Sequence, residues 1–353
     1  MKKLNIQIVA GDKFIKRLIV DLKSNKLGKK YAIITDSNVK KLYAEKLQKD
    51  LKKADIESVI VSFPHGEKNK NFQTVEKILD QLFKEEFHRD DAIIALGGGV
   101  TGDIAGFIAS IYMRGISYIQ IPTTLLAMVD SSIGGKAGID SRWGKNLIGT
   151  FYQPEKIYIN IKFLETLTKK QIRNGLAEVI KCGAIARPAI LRILNKKRDK
   201  IFAFNQKVLS KIINLCIKIK SNLVLEDEKE NGVRKYLNYG HTIGHAIEKL
   251  SKFSVQHGEA VAIGISMTNT IAVSKKIMSK KDADFIKSLL KLYELPTHLP
   301  KTISSIKLIS ALSLDKKIND NKRQFIVISK PGKAKISTLI TNSDITKACK
   351  KHA

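Results

Sequence analysis

Apolar and polar positions follow two regimes along the chain. In the first, short β-branched runs at 31–35, 58–62, 92–96 and 117–121 read as strands. Between them, 39–53 and 74–87 carry apolar residues at helical spacing, and a further helix opens near Asp103. Strands alternating with helices imply βαβ units and a doubly wound parallel sheet. The opening MKKLNIQIVA is interrupted by Asn5 and Gln7 and has no small-residue cleavage site, so it reads as a first strand. From Leu167 to Leu292 the helical period takes over, at 171–186, 207–225, 241–250, 258–274 and 281–292. Near the end only 324–329 resembles a strand, and no internal repeat is evident. The change of regime predicts an α/β domain over 1–165 and a helical domain over 166–353.

A length of 353 residues suits two domains with real hydrophobic cores. Lys and Arg number 63 against 33 acidic residues, a net charge of +30. Such a surplus invites a nucleic-acid reading, but only ten of the cations are Arg and the lysines spread from Lys2 to Lys351. Specific nucleic-acid recognition leans on Arg forks and stacked aromatics, and no helix-turn-helix, zinc-finger or RNA-binding signature is present. The charge reads as solvated Lys that would still draw in a small anion. The uncharged stretch 115–129 is broken by Pro122 and is too short to span a membrane. Three scattered cysteines without a CxxC pair point to a reducing compartment, so a cytoplasmic protein is expected.

The candidate chemistry clusters. Gly97-Gly98-Gly99-Val100-Thr101-Gly102-Asp103 follows a predicted strand and opens a helix, which suits an anionic group at a helix N-terminus or close packing. The spacing is not that of the usual dinucleotide fingerprint. Asp36, ending another strand, suits either a ribose acceptor or a helix cap. Thr123 and Thr124 reach the same sheet edge, and Asp130, Lys136, Asp140, Lys145 and Asn146 crowd a Gly- and Ser-rich stretch that reads as a binding site. In the helical half, Glu178 and Lys181 share a helix face at i, i+3. His241 and His245 do so at i, i+4, with His257 close behind. Glu178 and these histidines suit an open zinc site, though a histidine pair is also common as a hydrogen-bonded core feature. Lys220, Arg234 and Lys316 read singly as solvated surface.

In order, GGGVTGDIAGFIASIYMRGISYIQIPTTLLAMVDSSIGGK, GKNLIGTFYQP, GLAEVIKCG, DEKENGVRKYLNYGHTIGHAIE, HGEAVAIG and DKK make the chain resemble the 3-dehydroquinate synthase family, from about Asp36 to Lys317. The resemblance implies an N-terminal Rossmann-like domain with a parallel sheet and an all-α C-terminal metal-binding domain. It implies NAD, a divalent zinc or cobalt ion, and a sugar-acid phosphate substrate. It also implies a homodimer, with no nucleic-acid or membrane partner. The implied reaction converts 3-deoxy-D-arabino-heptulosonate 7-phosphate to 3-dehydroquinate and phosphate in the shikimate pathway. Its steps are transient oxidation, β-elimination, re-reduction, ring opening and aldol closure.

Carried over by motif, NAD would meet Asp36, Asn38, Glu67, Lys70, Gly98, Gly99, Val100, Thr101, Gly102, Asp103, Thr123, Thr124, Lys136 and Lys145. The connector Phe163, Leu164, Glu165 and Thr166 would also contact it. The metal ligands would be Glu178, His241 and His257, leaving His245 on the substrate side. Substrate would meet Arg114, Asp130, Lys136, Asn146, Lys181, Lys220, Arg234, Asn238, His245 and Lys316. Ala137 and Arg142 depart from the Thr and Pro common in the family. Related sugar-phosphate cyclases of the 2-deoxy-scyllo-inosose synthase type, and glycerol dehydrogenase-like enzymes, are the alternatives.

Overall fold

The apolar runs of the first half become the strands of one sheet. The computed structural model describes residues 6–8, 13–24, 27–313, 318–319 and 322–352. The chain divides into two units, Met1–Leu167 and Thr168–Ala353. In the first, β1 (Ile6–Ile8), β2 (Tyr31–Asp36), β3 (Ser58–Phe63), β4 (Ala92–Gly97) and β5 (Ser117–Pro122) are followed by a hairpin of β6 (Lys136–Ser141) and β7 (Gly144–Phe151), then β8 (Lys156–Ile159). The six-stranded sheet has the order β1-β8-β5-β4-β2-β3 and every pairing in it is parallel. Every residue of β4 is buried, as strands covered on both faces require, which explains their unbroken apolar pattern.

β3 lies on one side of β2 and β4 on the other, so the strand order reverses between β2 and β4. In doubly wound sheets the carboxyl ends at such a reversal form the ligand crevice. Asp36 ends β2 and Gly97 ends β4. The helix expected over 39–53 starts earlier, at Ser37–Val39, and continues through a π-helical turn, Lys40–Ala44, into Glu45–Lys52. Its early start has a local cause: Asp36 Oδ1 accepts the N–H groups of Asn38 and Val39 at 2.9 and 3.1 Å. The β6–β7 hairpin is not evident in the apolar pattern. It packs on helix Gly99–Ile111 at Gly106, where a Cβ would fall 2.9 Å from that of Ala137. Buried Ala137 is thus a small residue in a tight place.

The second unit is mainly helical, with helices Lys169–Ile185, Pro188–Lys196, Arg198–Phe202, Gln206–Glu226, His241–Leu250, His257–Ser274, Lys280–Leu292, Ser305–Ser313 and Asn342–His352. Two antiparallel ribbons join them: β9 (Ile318–Asn319) with β10 (Lys322–Arg323), and β11 (Phe325–Lys330) with β12 (Lys333–Ser337). Helix Lys169–Ile185 starts at a capping box in which the Thr168 hydroxyl accepts from Gln171 N–H and the Gln171 side chain from Thr168 N–H. Helix His257–Ser274 is buried almost all round, as a central helix apolar on every face should be. It packs on Lys169–Ile185, His241–Leu250, Lys280–Leu292 and Asn342–His352. Among the described residues no helix is long and apolar enough to cross a membrane. All three cysteines are free and buried.

Candidate active site

Three helices of the second unit bring one side chain each to a single point. Glu178, fully buried on Lys169–Ile185, has Oε1 3.5 Å from His241 Nε2 and 3.5 Å from His257 Nε2. Both imidazoles are the first residues of their helices. Gly240 precedes His241 at φ 80°, where a Cβ would meet Ile265 N and Val261 O at 2.9 Å. Only glycine lets helix His241–Leu250 start so close to helix His257–Ser274.

Ligands about 2.1 Å from a tetrahedral ion lie roughly 3.4 Å from one another, so 3.5 Å suits a shared cation better than direct hydrogen bonds. The outer nitrogens are anchored as metal-binding histidines usually are: His241 Nδ1 lies 3.2 Å from Tyr239 O, and His257 Nδ1 3.3 Å from Glu248 Oε2. The three ligand atoms lie within 4.8 Å of one another. A carboxylate with two imidazoles is a donor set suited to zinc or cobalt, and the set fits a divalent ion. Burial works to lower the His257 pKa, but the Glu178 and Glu248 carboxylates outweigh it and hold the proton up to about 10. A cation would displace that proton.

Basic side chains gather in the same unit. Lys181 pairs with Glu178 Oε2 and is almost fully buried. Lys220 and Arg234, which read singly as solvated surface, are instead buried, at 7% and 2% exposure. Asp227 Oδ2 accepts from Arg234 N–H at 3.0 Å, and the Arg234 guanidinium donates to Glu228 O. Asn238 donates to Glu230 Oε1. His245 is exposed, its ring edge-on to that of His241 at 5.3 Å. Lys316 lies outside the described residues.

In the first unit, Asp36 and the glycine turn meet at the sheet reversal, with Thr101 Oγ1 3.5 Å from Asp36 Oδ2. The cap occupies Oδ1, while Oδ2 faces the start of helix Gly99–Ile111. Gly98, Gly99, Val100, Gly102 and Asp103 are part-exposed in that first turn, beside buried Thr101. Thr123 N–H donates to Gly97 O at 2.9 Å, and Thr124 Oγ1 accepts from Ala127 N–H. Lys70 is a buried ion-pair partner: its Nζ lies 2.6 Å from Asp103 Oδ2 and also donates to Asn146 Oδ1. Lys145 Nζ lies 3.4 Å from Glu67 Oε1.

Of the connector, the side chains of Phe163 and Leu164 are core, and only Glu165 and Thr166 are exposed. Asn38 and Lys136 are exposed, and Asp130 is part-buried. Arg114 is exposed in a turn where it and Met113 both adopt left-handed φ, 66° and 48°, a costly conformation for such residues.

Residues 60–174 match the family model for the 3-dehydroquinate synthase N-terminal domain, and residues 175–318 that for its C-terminal domain. The chain belongs to the 3-dehydroquinate synthase family. A 3-dehydroquinate synthase of Thermodesulfovibrio yellowstonii is 42% identical over 91% of this chain and 90% of its own length. One from Campylobacter concisus is 41% identical over 97% of each. Among solved structures, the 2-epi-5-epi-valiolone synthase of Streptomyces hygroscopicus subsp. jinggangensis, with NAD+ and Zn2+ bound, superposes at a TM-score of 0.90. It shares 25% identity, over 99% of this chain and 97% of that one. A 2-deoxy-scyllo-inosose synthase complexed with carbaglucose-6-phosphate, NAD+ and Co2+ gives 0.86 at 26% identity, over 98% and 96%.

Three residues of this 3-dehydroquinate synthase family member escape a motif reading. Glu248 touches His257, and Glu230 accepts from Asn238. Tyr43 packs on Phe163 at 4.5 Å and hydrogen-bonds Thr166 Oγ1 at 2.5 Å. Glu248 had a signal: with His241 and His245 it forms an i, i+4, i+7 stripe. Tyr43 and Thr166 are too far apart in sequence to betray a contact.

Proposed function

We propose that the chain converts 3-deoxy-D-arabino-heptulosonate 7-phosphate to 3-dehydroquinate and phosphate, with NAD and a zinc or cobalt ion. The observation that carries this reading is the convergence of Glu178, His241 and His257 in a chain matching both domains of the 3-dehydroquinate synthase family. Relatives of that name share 41–42% of residues with it, against 25–26% for the two cyclases on other sugars. When bound, NAD supplies a hydride acceptor that returns its hydride within the turnover, and the divalent ion supplies a Lewis acid.

The chain's own residues do the rest. Glu178, His241 and His257 would hold the ion. Buried Lys181, Lys220 and Arg234 would neutralise the substrate's carboxylate and phosphate, because cations already stripped of water bind anions strongly. Arg114, Asp130, Lys136, Asn146, Asn238 and His245 would orient its hydroxyls and leaving phosphate, and Lys316 would be a further substrate contact. Asp36 Oδ2 suits a ribose hydroxyl and the 98–103 turn a pyrophosphate. Lys70 would act by fixing Asp103 and Asn146.

A cytoplasmic location accords with three free, buried thiols. A homodimer would find apolar cover in the exposed hairpin side chains Trp143, Leu147 and Phe151.

The test is phosphate release from 3-deoxy-D-arabino-heptulosonate 7-phosphate with NAD and zinc, without net NADH. We expect turnover there and none with glucose 6-phosphate, and H257A to lose both bound metal and turnover. Accumulating NADH, or phosphate release from glucose 6-phosphate alone, would favour the dehydrogenase-like or inosose-type alternative.

A further inference from the structure

Helix His241–Leu250 carries His241, His245 and Glu248 along one face. Glu248 is 3% exposed, and its Oε2 lies 3.3 Å from His257 Nδ1, while Nε2 of the same ring lies 3.5 Å from Glu178 Oε1. An ionised carboxylate only accepts hydrogen bonds, so the ring must carry its proton on Nδ1 toward Glu248. With a cation in place of the ring's second proton, the Nε2 lone pair points where Glu178 and His241 converge. His241 is oriented in the same sense by a neutral acceptor, Tyr239 O. The two imidazoles therefore differ in kind: an anionic partner makes His257 the more strongly donating ring.

We propose that Glu248 is a positioning residue that holds His257 with Nε2 directed at Glu178 and His241, and thereby sets how tightly this site binds a divalent cation. The inference rests on the metal reading above. Its rival lies in the same atoms: His245, Glu248 and His257 also offer ligand atoms within 4.8 Å of one another. In that arrangement Glu248 would bind a second ion itself. The two roles exclude each other, because Nδ1 cannot both donate to Glu248 and ligate.

The experiment measures zinc affinity of the full-length wild type, E248Q, E248A and E248D by competition with a chromophoric chelator. Metal content and the visible spectrum of the cobalt-loaded proteins are read alongside. We expect one zinc per wild-type chain. E248Q and E248A should bind about 10- to 100-fold more weakly, the usual cost of losing an outer-sphere partner, while still reaching one zinc at saturation. E248D, which keeps the charge, should fall between, and the cobalt bands of E248Q should shift. Thermal midpoints of the zinc-free proteins identify any variant that fails to fold, and E248Q, closest in shape, then carries the test. Wild-type affinity in E248Q would overturn the proposal, as would a second zinc in the wild type that E248Q lacks. A wild type that binds no divalent ion would instead bring down the metal reading itself, a distinct result.

Discussion

Replacing Lys181 with Met should destabilise the ion-free protein far more than the zinc-loaded one. Glu178 and Lys181 have side chains 0% and 1% exposed, and Glu178 Oε2 meets the ammonium while Oε1 faces the two imidazoles. Removing one member of a buried pair strands the other's charge, at about 3–5 kcal/mol. For a unit of 150–250 residues each kcal/mol moves the melting midpoint by about 2–4 °C, so the zinc-free variant should melt roughly 6–20 °C lower. A divalent ion beside Glu178 supplies the missing counter-charge. Zinc at about 100–1,000 times its dissociation constant stabilises a native state by about 2.7–4.1 kcal/mol, and in the variant it should also restore much of the lost pairing. The zinc-induced rise should therefore be clearly larger in K181M than in the wild type. Differential scanning fluorimetry with chelator and with excess zinc reads both shifts. A zinc-free K181M midpoint within about 2 °C of wild type would refute the reasoning, since that is under 1 kcal/mol. Equal zinc shifts in the two proteins would refute it as well.

Two further outcomes follow from buried groups elsewhere. In the first unit Asp21 Oδ2 meets Lys156 and accepts from Tyr158 OH at 2.7 Å; burial raises its pKa, but these partners outweigh it and hold the carboxyl below its ordinary value. D21N should cost about 3–5 kcal/mol near neutral pH. A depressed native pKa stabilises above the unfolded value, so the gap between wild type and D21N should shrink as pH falls below about 4 through the native value. Urea melts across pH 3–7 would show this, and a gap independent of pH would contradict it. G240A should lose about 1–3 kcal/mol, because φ 80° disfavours a side chain and the new Cβ would press on Ile265 N and Val261 O. Zinc affinity should fall with it, since His241 follows directly; chelator competition that finds wild-type affinity in G240A would contradict this.

Where local pattern decides structure, the chain was legible. The strands at 31–35 and 92–96 are buried throughout because both faces are covered, and each extends one residue further than the pattern implies, to Asp36 and Gly97. Helix His241–Leu250 has the limits its periodicity gives. The β6–β7 hairpin was obscured because Gly138 and Gly149 face each other across it, where a Cβ on either would meet the opposite strand's backbone, and so interrupt an alternating amphipathic pattern. Burial of Lys220 and Arg234 was equally hidden, since no local spacing reveals that a cation is buried; that depends on neighbours distant in sequence. Asp36 admitted two roles on sequence, and the structure shows the cap on Oδ1, with Oδ2 accepting from Thr101 Oγ1 at 3.5 Å.

The seclusion of the Glu178, His241 and His257 cluster has a kinetic corollary. Glu178 is fully enclosed and His241 nearly so, whereas the His257 side chain retains 27% exposure. An ion held there would stitch three distant stretches of chain together, and of its three ligands His257 has the most exposed side chain. Its exchange should be slow, on the timescale of local opening rather than of simple ligand dissociation, and a brief wash with chelator would strip little of it.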